Sequence, residues 1–509
     1  MRAWVGAHGI EVVLAALVIA VGVVMRRWVL SGPMGSPDLD ESTVGVQAIR
    51  FTHGHLAVFF PNQPYGGTVE PYLVSIVFRF FGSSVIALKV VPMACAFGAS
   101  VVTWRAAVRL GLGRAGQWCA PILVWVGPAF AVAFSTKERG FYGLALLLAA
   151  ADILLVLRLD EAPRQGDLIL LGALVGLGWW QTPLTMLVAV PAVGWLVARR
   201  PRLPLSDLAP YGALVVGGFP WFVWNARNHW VSMNGGYAFG TSWWQRVESW
   251  MIKLRVVTGI ETPFVANRHL LEGRWTGAVI VAVVVAGASW RTRREAPALL
   301  AVLVVGYGAL YALNGLAAGV GGDPRYTYLM VPVMALAVAS LLPDLSSDVR
   351  SAGVIVVVGA LVTALSAWGL AGMGESARQS GSDKFLASPG IEKVAHLLDA
   401  VHSGPVQTDT AGMQITFLTD GRVRAGSFSV PRYHDLELAG RAAPKSTYVL
   451  DDHVLGNAGR LRLYLVFHRI PFRATHIGKW WLFRIDGRVL PEDARLIIFE
   501  INLSLRPRA

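Results

Sequence analysis

Charged side chains are scarce in this chain. Asp, Glu, Lys and Arg make up 15% of its 509 residues, where a soluble domain carries about 25%. With 54% hydrophobic residues and a mean hydropathy of +0.51, that shortage excludes an ordinary soluble globular protein. Cysteine is nearly missing: Cys95 and Cys119 both fall in apolar runs, where a free thiol packs as a small hydrophobe. No disulfide framework is therefore expected to staple the polar regions. The first apolar run has no small-residue cleavage pattern behind it and reads as a retained span. No half-to-half repeat is visible, which counts against a transporter built from paired bundles. A basic stripe is absent too. The net charge of +13 comes from arginines clustered between apolar runs, the arrangement of membrane insertion, so a bilayer and no nucleic acid is the expected partner.

What the chain does have is long apolar runs, near 10–30, 84–104, 117–134, 141–157, 167–181, 183–198, 208–225, 276–290, 297–314, 326–342 and 352–372. A hydrocarbon core takes about 20 helical residues to cross, so this pattern predicts an α-helical polytopic membrane protein with about eleven transmembrane helices. Gln181-Thr182-Pro183 suits a tight turn between two of them. The loops orient the chain. Arg105, Arg109 and Arg114, then Arg158 and Arg164, then Arg199, Arg200 and Arg202, then Arg291, Arg293 and Arg294, then Arg350 fill the even-numbered loops. The positive-inside rule places these in the cytoplasm, with the N-terminus. Residues 31–83, 135–140, the Gln181 turn, 226–275, 315–325 and everything after 372 are then outside a plasma membrane. Trp230, Trp243, Trp244 and Trp250 read as interfacial aromatics.

The composition changes near 375. Residues 447–450, 461–467 and 496–502 read as strands, and 390–402 has a helical period. Two domains follow: 1–374, a transmembrane part with a polar first outer loop at 31–83, and 375–509, a small extracytoplasmic α/β domain.

That first outer loop holds the densest polar chemistry: Ser36-Pro37-Asp38-Leu39-Asp40-Glu41, then His53 and His55, then the stretch from Asn62 and Gln63 through Pro64, Tyr65, Gly66 and Gly67 to Glu70. Carboxylates beside a membrane span are costly unless they line a wet cavity, where they serve as base or ligand. An amphipathic stretch leads from them to the second span. This arrangement resembles the GT-C class of membrane glycosyltransferases, the polyprenyl-phosphate-sugar-dependent enzymes that include protein O-mannosyltransferases and aminoarabinose transferases. Asp40-Glu41 matches the Asp-Glu pair of that class's first outer loop. Gln63 through Glu70 is similar to its bacterial Gly-Gln-x-Tyr-x-Gly-x-x-Glu pattern, with Asn62 in place of the leading Gly. Gly176-Leu177-Gly178-Trp179-Trp180-Gln181-Thr182-Pro183, Asn225 after Gly217-Gly218-Phe219-Pro220, and Asp323-Pro324-Arg325-Tyr326 resemble three later segments.

The resemblance implies a GT-C fold and an inverting transfer of sugar to a cell-envelope glycan, lipid or protein. Outside the cytoplasm nucleotide sugars are lacking, so the donor is a polyprenyl-phosphate sugar. Such a displacement needs a carboxylate base at the acceptor hydroxyl and cations at the leaving phosphate. The match assigns the base to Asp40, with Asp38 the alternative that spacing alone cannot separate. It gives Glu41 and Glu70 the task of positioning hydroxyls, with Gln63, Tyr65 and Tyr326 as further substrate contacts. Arg325 is the first choice for the phosphate, because a guanidinium grips phosphate oxygens in pairs. Lys137 and Arg139 are second, with interfacial snorkelling as their alternative role. No metal is expected. His53 and His55 form a His-x-His, and Asp38 with Asp40 would serve a divalent cation if one is used, as in some members of the broader class. The competing reading of the whole is a transporter or flippase of lipid-linked intermediates.

Overall fold

The computed structural model describes residues 2–203, 208–233, 241–265, 268–292, 298–313, 324–345, 348–379, 390–452 and 456–496. Its body is a set of helices: α1 (Arg2–Ser31), α2 (Leu39–Thr52), α3 (Val69–Phe81), α4 (Val85–Arg109), α5 (Arg114–Trp125), α6 (Ala129–Phe134), α7 (Tyr142–Glu161), α8 (Gln165–Gln181), α9 (Met186–Arg199), α10 (Ala209–Gly217), α11 (Phe219–Arg227), α12 (Trp243–Val257), α13 (Thr276–Thr292), α14 (Leu299–Leu313), α15 (Val331–Ser340) and α16 (Asp348–Gln379). Among the described residues, four stretches are long and apolar enough to cross a membrane: Val12–Ser31, Val85–Arg109, Tyr142–Glu161 and Arg350–Arg378. Pro183–Arg199, Thr276–Thr292 and Leu299–Leu313 are shorter apolar helices. Large apolar side chains such as Val23, Val24, Val283, Val305 and Val357 stand exposed on these helices, a surface that only lipid or another apolar phase would cover.

Several runs that read as single spans are broken. The run 117–134 divides into α5 and α6 around Gly127-Pro128, and 208–225 divides into α10 and α11 at Gly218. The run 326–342 opens as the 3-10 turn Pro324–Met330 before α15 begins. Gln181-Thr182-Pro183 does separate α8 from α9, as expected. Helices α8 and α10 approach closely because they meet through glycine: a Cβ at Gly172 or Gly176 would strike the carbonyl oxygens of Pro210 and Leu214. Small residues four apart are the usual means of close packing between membrane helices. Trp243 and Trp244 are exposed, whereas Trp250 is buried and stacks on Tyr307 at 5.1 Å, so it is a packing residue rather than an interfacial one. Cys95 and Cys119 are free and buried.

The first loop is structured. Helix α2 leads to a short hairpin, β1 (Phe59–Phe60) with β2 (Gln63–Gly67), and then to α3. Helix α3 buries Val74 and Phe78 and exposes Leu73, Ile76 and Phe80, an apolar stripe at three- and four-residue spacing that suits a helix lying at an interface. Gly82, at φ 76°, ends it, and the Ser84 hydroxyl caps α4.

After α17 (Ile391–Ala400) the chain builds a five-stranded sheet from β3 (Val406–Thr408), β4 (Ala425–Ser427), β5 (Thr447–Asp451), β6 (Phe472–Ile477) and β7 (Trp480–Ile485). The order is β4-β3-β5-β7-β6; β4, β3 and β5 run parallel, and β7 is antiparallel to both its neighbours. Helices α18 (Gly412–Leu418), α19 (His434–Ala442) and α20 (Asn457–Phe467) complete it. Strand alternation feeds two cores, with Val449 and Leu482 in one and Tyr448, Leu450 and Phe483 in the other. Residues 447–450 form a strand and 390–402 contains a helix, as read. Residues 461–467, read as a strand, instead finish α20. Leu461 and Leu465 are its buried positions while Leu463, Val466 and Phe467 are exposed, and a spacing of four marks a helix. The expected strand at 496–502 falls, after residue 496, outside the described residues.

Candidate active site

The helix start at Asp38-Leu39-Asp40-Glu41 sorts its three carboxylates by geometry alone. Asp38 is the N-cap, taking the Glu41 amide at 3.0 Å, and Glu41 reaches back to the Asp38 amide at 3.1 Å. This capping box satisfies two amides that a helix start otherwise leaves bare. Successive helical residues turn by about 100°, so Asp40 points elsewhere. The Asp38 and Glu41 side chains are 3% and 0% exposed, and that of Asp40 is 29% exposed.

Buried carboxylates need countercharges, and three cations supply them. Arg139 donates to Asp38 Oδ2 through Nη2 at 2.7 Å and Nε at 3.2 Å. Lys137 donates to Glu41 at 2.8 Å and to the Ser36 carbonyl at 3.3 Å. Lys89, fully buried on α4, donates to Glu41 as well and to the Thr136 carbonyl at 3.2 Å. The short turn after α6 thus delivers Lys137 and Arg139 inward, where they serve as counterions and not as snorkelling groups. Burial pushes the Asp38 carboxyl up, but the charges of Arg139 and Lys137 and the Glu41 amide outweigh it and hold it at about 2.

Glu138, between those two cations, and Glu70, at the start of α3, form a second buried pair. The Gly140 amide donates to Glu138 at 2.9 Å and the Leu144 amide donates to Glu70. Desolvation pushes Glu70 up to about 7, and desolvation with the Glu70 charge pushes Glu138 well above the carboxylate range. One oxygen of each is buried without a donor. Both carboxyls therefore favour the protonated form, and a bound proton on either would supply the donor that these oxygens lack. Gln181 fastens the wall beside them, accepting from the Val69 amide and donating to the Gly140 carbonyl, both at 3.1 Å.

The structure thus brings Asp38, Asp40, Glu41, Glu70, Lys137 and Arg139 together. Gln63 and Tyr65 lie half-buried on β2, the strand that leads into Glu70. Arg325 and Tyr326 sit on the Pro324–Met330 turn; Arg325 is half-buried, and Tyr326 is buried with its carbonyl accepting from the Tyr307 hydroxyl at 2.6 Å. That turn is joined to the site through rings: Tyr328 packs on Phe134 at 5.0 Å, and Arg139 lies 5.5 Å over Phe134. Asp323 is outside the described residues. Asn225 is buried and bonded to the Trp221 carbonyl and Ser232, an internal fastening of its own helix end.

Lys89, Glu138 and Arg432 are site residues that the sequence reading assigned no role. Lys89 carries its own signal, since an ionisable group inside an apolar run is a functional residue by default. Arg432 comes from the segment before α19; it donates to Asp40 Oδ1 at 3.0 Å and to the Pro61 carbonyl at 3.1 Å. The two carboxylates considered for a cation therefore each face a guanidinium. His53 bonds the Ile49 carbonyl at 2.8 Å and His55 is exposed. Among the described residues no group of three or more His, Cys, Asp or Glu is gathered to hold a metal ion.

No family model matches the chain, and no curated protein matches it in sequence. Solved structures match it in fold. ArnT from Cupriavidus metallidurans bound to undecaprenyl phosphate, an aminoarabinose transferase of the GT-C class, superposes with a TM-score of 0.64 at 11% identity, over 94% of this chain and 98% of that one. The apo form of the same protein gives 0.64 at 12% identity, with the same coverage. The chain has the fold of that transferase nearly end to end.

Proposed function

We propose that this protein is an inverting glycosyltransferase that moves a sugar from a polyprenyl-phosphate donor to an acceptor hydroxyl of the cell envelope, on the outer face of the membrane. The ArnT-like fold supports the class, and the undecaprenyl phosphate bound to that neighbour supports the lipid donor. The full topology proposed is about eleven crossings, with the N-terminus inside and the sheet-bearing C-terminal part outside. The cluster of motifs at one membrane face, without a repeat, favours transfer over transport.

The observation that carries the chemistry is the segregation of the acids. Asp38, Glu41, Glu70 and Glu138 are buried, whereas Asp40 alone of the five is partly exposed. As the acceptor oxygen bonds to the anomeric carbon, its proton passes to Asp40. The bond to phosphate oxygen breaks on the opposite face, and polyprenyl phosphate leaves with that electron pair. Arg325 is the proposed phosphate ligand. Lys137 and Arg139, engaged with Glu41 and Asp38, hold the base helix in place.

The test is transfer from radiolabelled polyprenyl-phosphate sugars to membrane extracts by purified protein in lipid. We expect Asp40→Asn to lower the rate about 10²- to 10⁴-fold while remaining folded. An Asp40→Asn protein as active as wild type would move the base elsewhere. Labelled lipid crossing vesicles with no sugar transferred would point to transport.

A further inference from the structure

We propose that Arg432, supplied by the sheet-bearing part of the chain, is a positioning residue of the active site that orients the base Asp40; this rests on the function proposed above. Asp40 is the partly exposed acid of α2, and such an aspartate on a helix's first turn ordinarily rotates among rotamers. Here Arg432 takes one of its oxygens, Oδ1, through Nη2 at 3.0 Å. Nothing else in the described residues bonds the other oxygen, Oδ2, so it is left to accept a proton. A base held by one atom and open at the other is the arrangement that general-base catalysis requires.

The guanidinium is itself over-determined, as a positioning group must be. Its Nη1 donates to the Pro61 carbonyl at 3.1 Å, and its central carbon lies 5.3 Å from the centre of the buried Phe60 ring. The flanking backbone is tied to the same loop: Asn62 Nδ2 donates to the Pro431 carbonyl at 2.7 Å. Arg50, at the far end of α2, grips Asp435 at 2.6 and 2.8 Å and covers the Tyr433 ring at 4.0 Å. Behind these, Phe417 of α18 packs against Gly45 and stacks on Phe78. The segment 431–435 is thus strapped across α2 along its length, with Arg432 placed at the base. One donor of Arg432, Nε, is buried without a partner. The sheet-bearing part is therefore a component of the active site.

The experiment compares wild type, Arg432→Ala and Arg432→Lys in the sugar-transfer assay, with Arg422→Ala as a control on the exposed Asp399 pair of the same sheet region. We expect Arg432→Ala to lower kcat about 10- to 100-fold, as displacement of a reacting group by an ångström does, with the donor KM within twofold. Lysine and added guanidinium ion should each restore part of the rate, and Arg422→Ala should match wild type. Undiminished kcat in Arg432→Ala overturns the proposal, as does a loss that guanidinium leaves untouched. Carbodiimide labelling of Asp40, mapped by mass spectrometry, gives a readout free of catalysis. It should rise several-fold in Arg432→Ala, and unchanged labelling refutes the contact. If wild type transfers no sugar, the proposed function fails, and the labelling still decides whether Arg432 holds Asp40.

Discussion

Replacing Arg139 by alanine removes the main countercharge of a carboxylate that has no access to water. Asp38 is held at about 2 against an ordinary value of 3.8, so this environment favours its ionised form by nearly two pH units. At about 1.4 kcal/mol per unit, returning it only to the ordinary value loses about 2.5 kcal/mol. Burial, the largest upward influence on this carboxyl, is then uncompensated, and the loss should reach the 3–5 kcal/mol typical of breaking a buried pair from one side. The sign follows from the depressed value: the stabilisation is complete above pH 3.8 and disappears as pH falls toward 2. The assay is unfolding in mixed micelles with rising SDS, for wild type, Arg139→Ala, Asp38→Asn and the double variant. The double variant should be more stable than Arg139→Ala alone, because no unpaired charge remains, and the cycle should return a coupling of about 2–3 kcal/mol. An Arg139→Ala protein within 1 kcal/mol of wild type, with additive changes in the cycle, would refute the idea that this pair organises the helix start.

The raised carboxyls of Glu70 and Glu138 predict that stability falls as pH rises from about 4.5 through about 7, because the native chain retains protons there that the unfolded chain releases. Glu138→Gln, which keeps the donor without the charge, should flatten that slope in the same SDS titration; an unaltered slope would exclude the pair as its source. Lys89→Met should cost about 3–5 kcal/mol by leaving Glu41 with one buried counterion, read as loss of monodisperse protein on size exclusion, and a fully monodisperse product would contradict the network. Gly176→Val should destabilise the α8–α10 contact by about 1–3 kcal/mol, because the added methyls meet the Leu214 carbonyl; unchanged thermal aggregation in detergent would argue against that packing.

The membrane class and the location of the acids were legible because both are local properties of sequence. Asp38, Asp40, Glu41 and Glu70 stand out in the first loop without any structure. Their division of labour was not visible, although the Asp-x-x-Glu spacing that makes the capping box is written in the chain. It takes the helix to show that residues three apart share a face and that Asp40 does not. Lys137 and Arg139 read as second candidates for the phosphate after Arg325, with snorkelling as the alternative. Their contacts to Glu41 and Asp38 were not visible, because they depend on how the turn after α6 folds. Arg432 was beyond reach of sequence reasoning, since its partner lies 392 residues away. The helix ending at Phe467 was missed for a different reason: short apolar runs carry no length by which to tell the two periods apart.

The 392-residue separation between Asp40 and Arg432 also has a meaning in time. A ribosome adding about 5–20 residues per second makes Asp40 roughly 20 to 80 s before it makes Arg432. Through that interval Asp40 stands without its guanidinium partner. The strap closes only once residues 431–435 have been made. Chains truncated before residue 432 would carry every acid of the first loop and still lack the guanidinium that bonds Asp40.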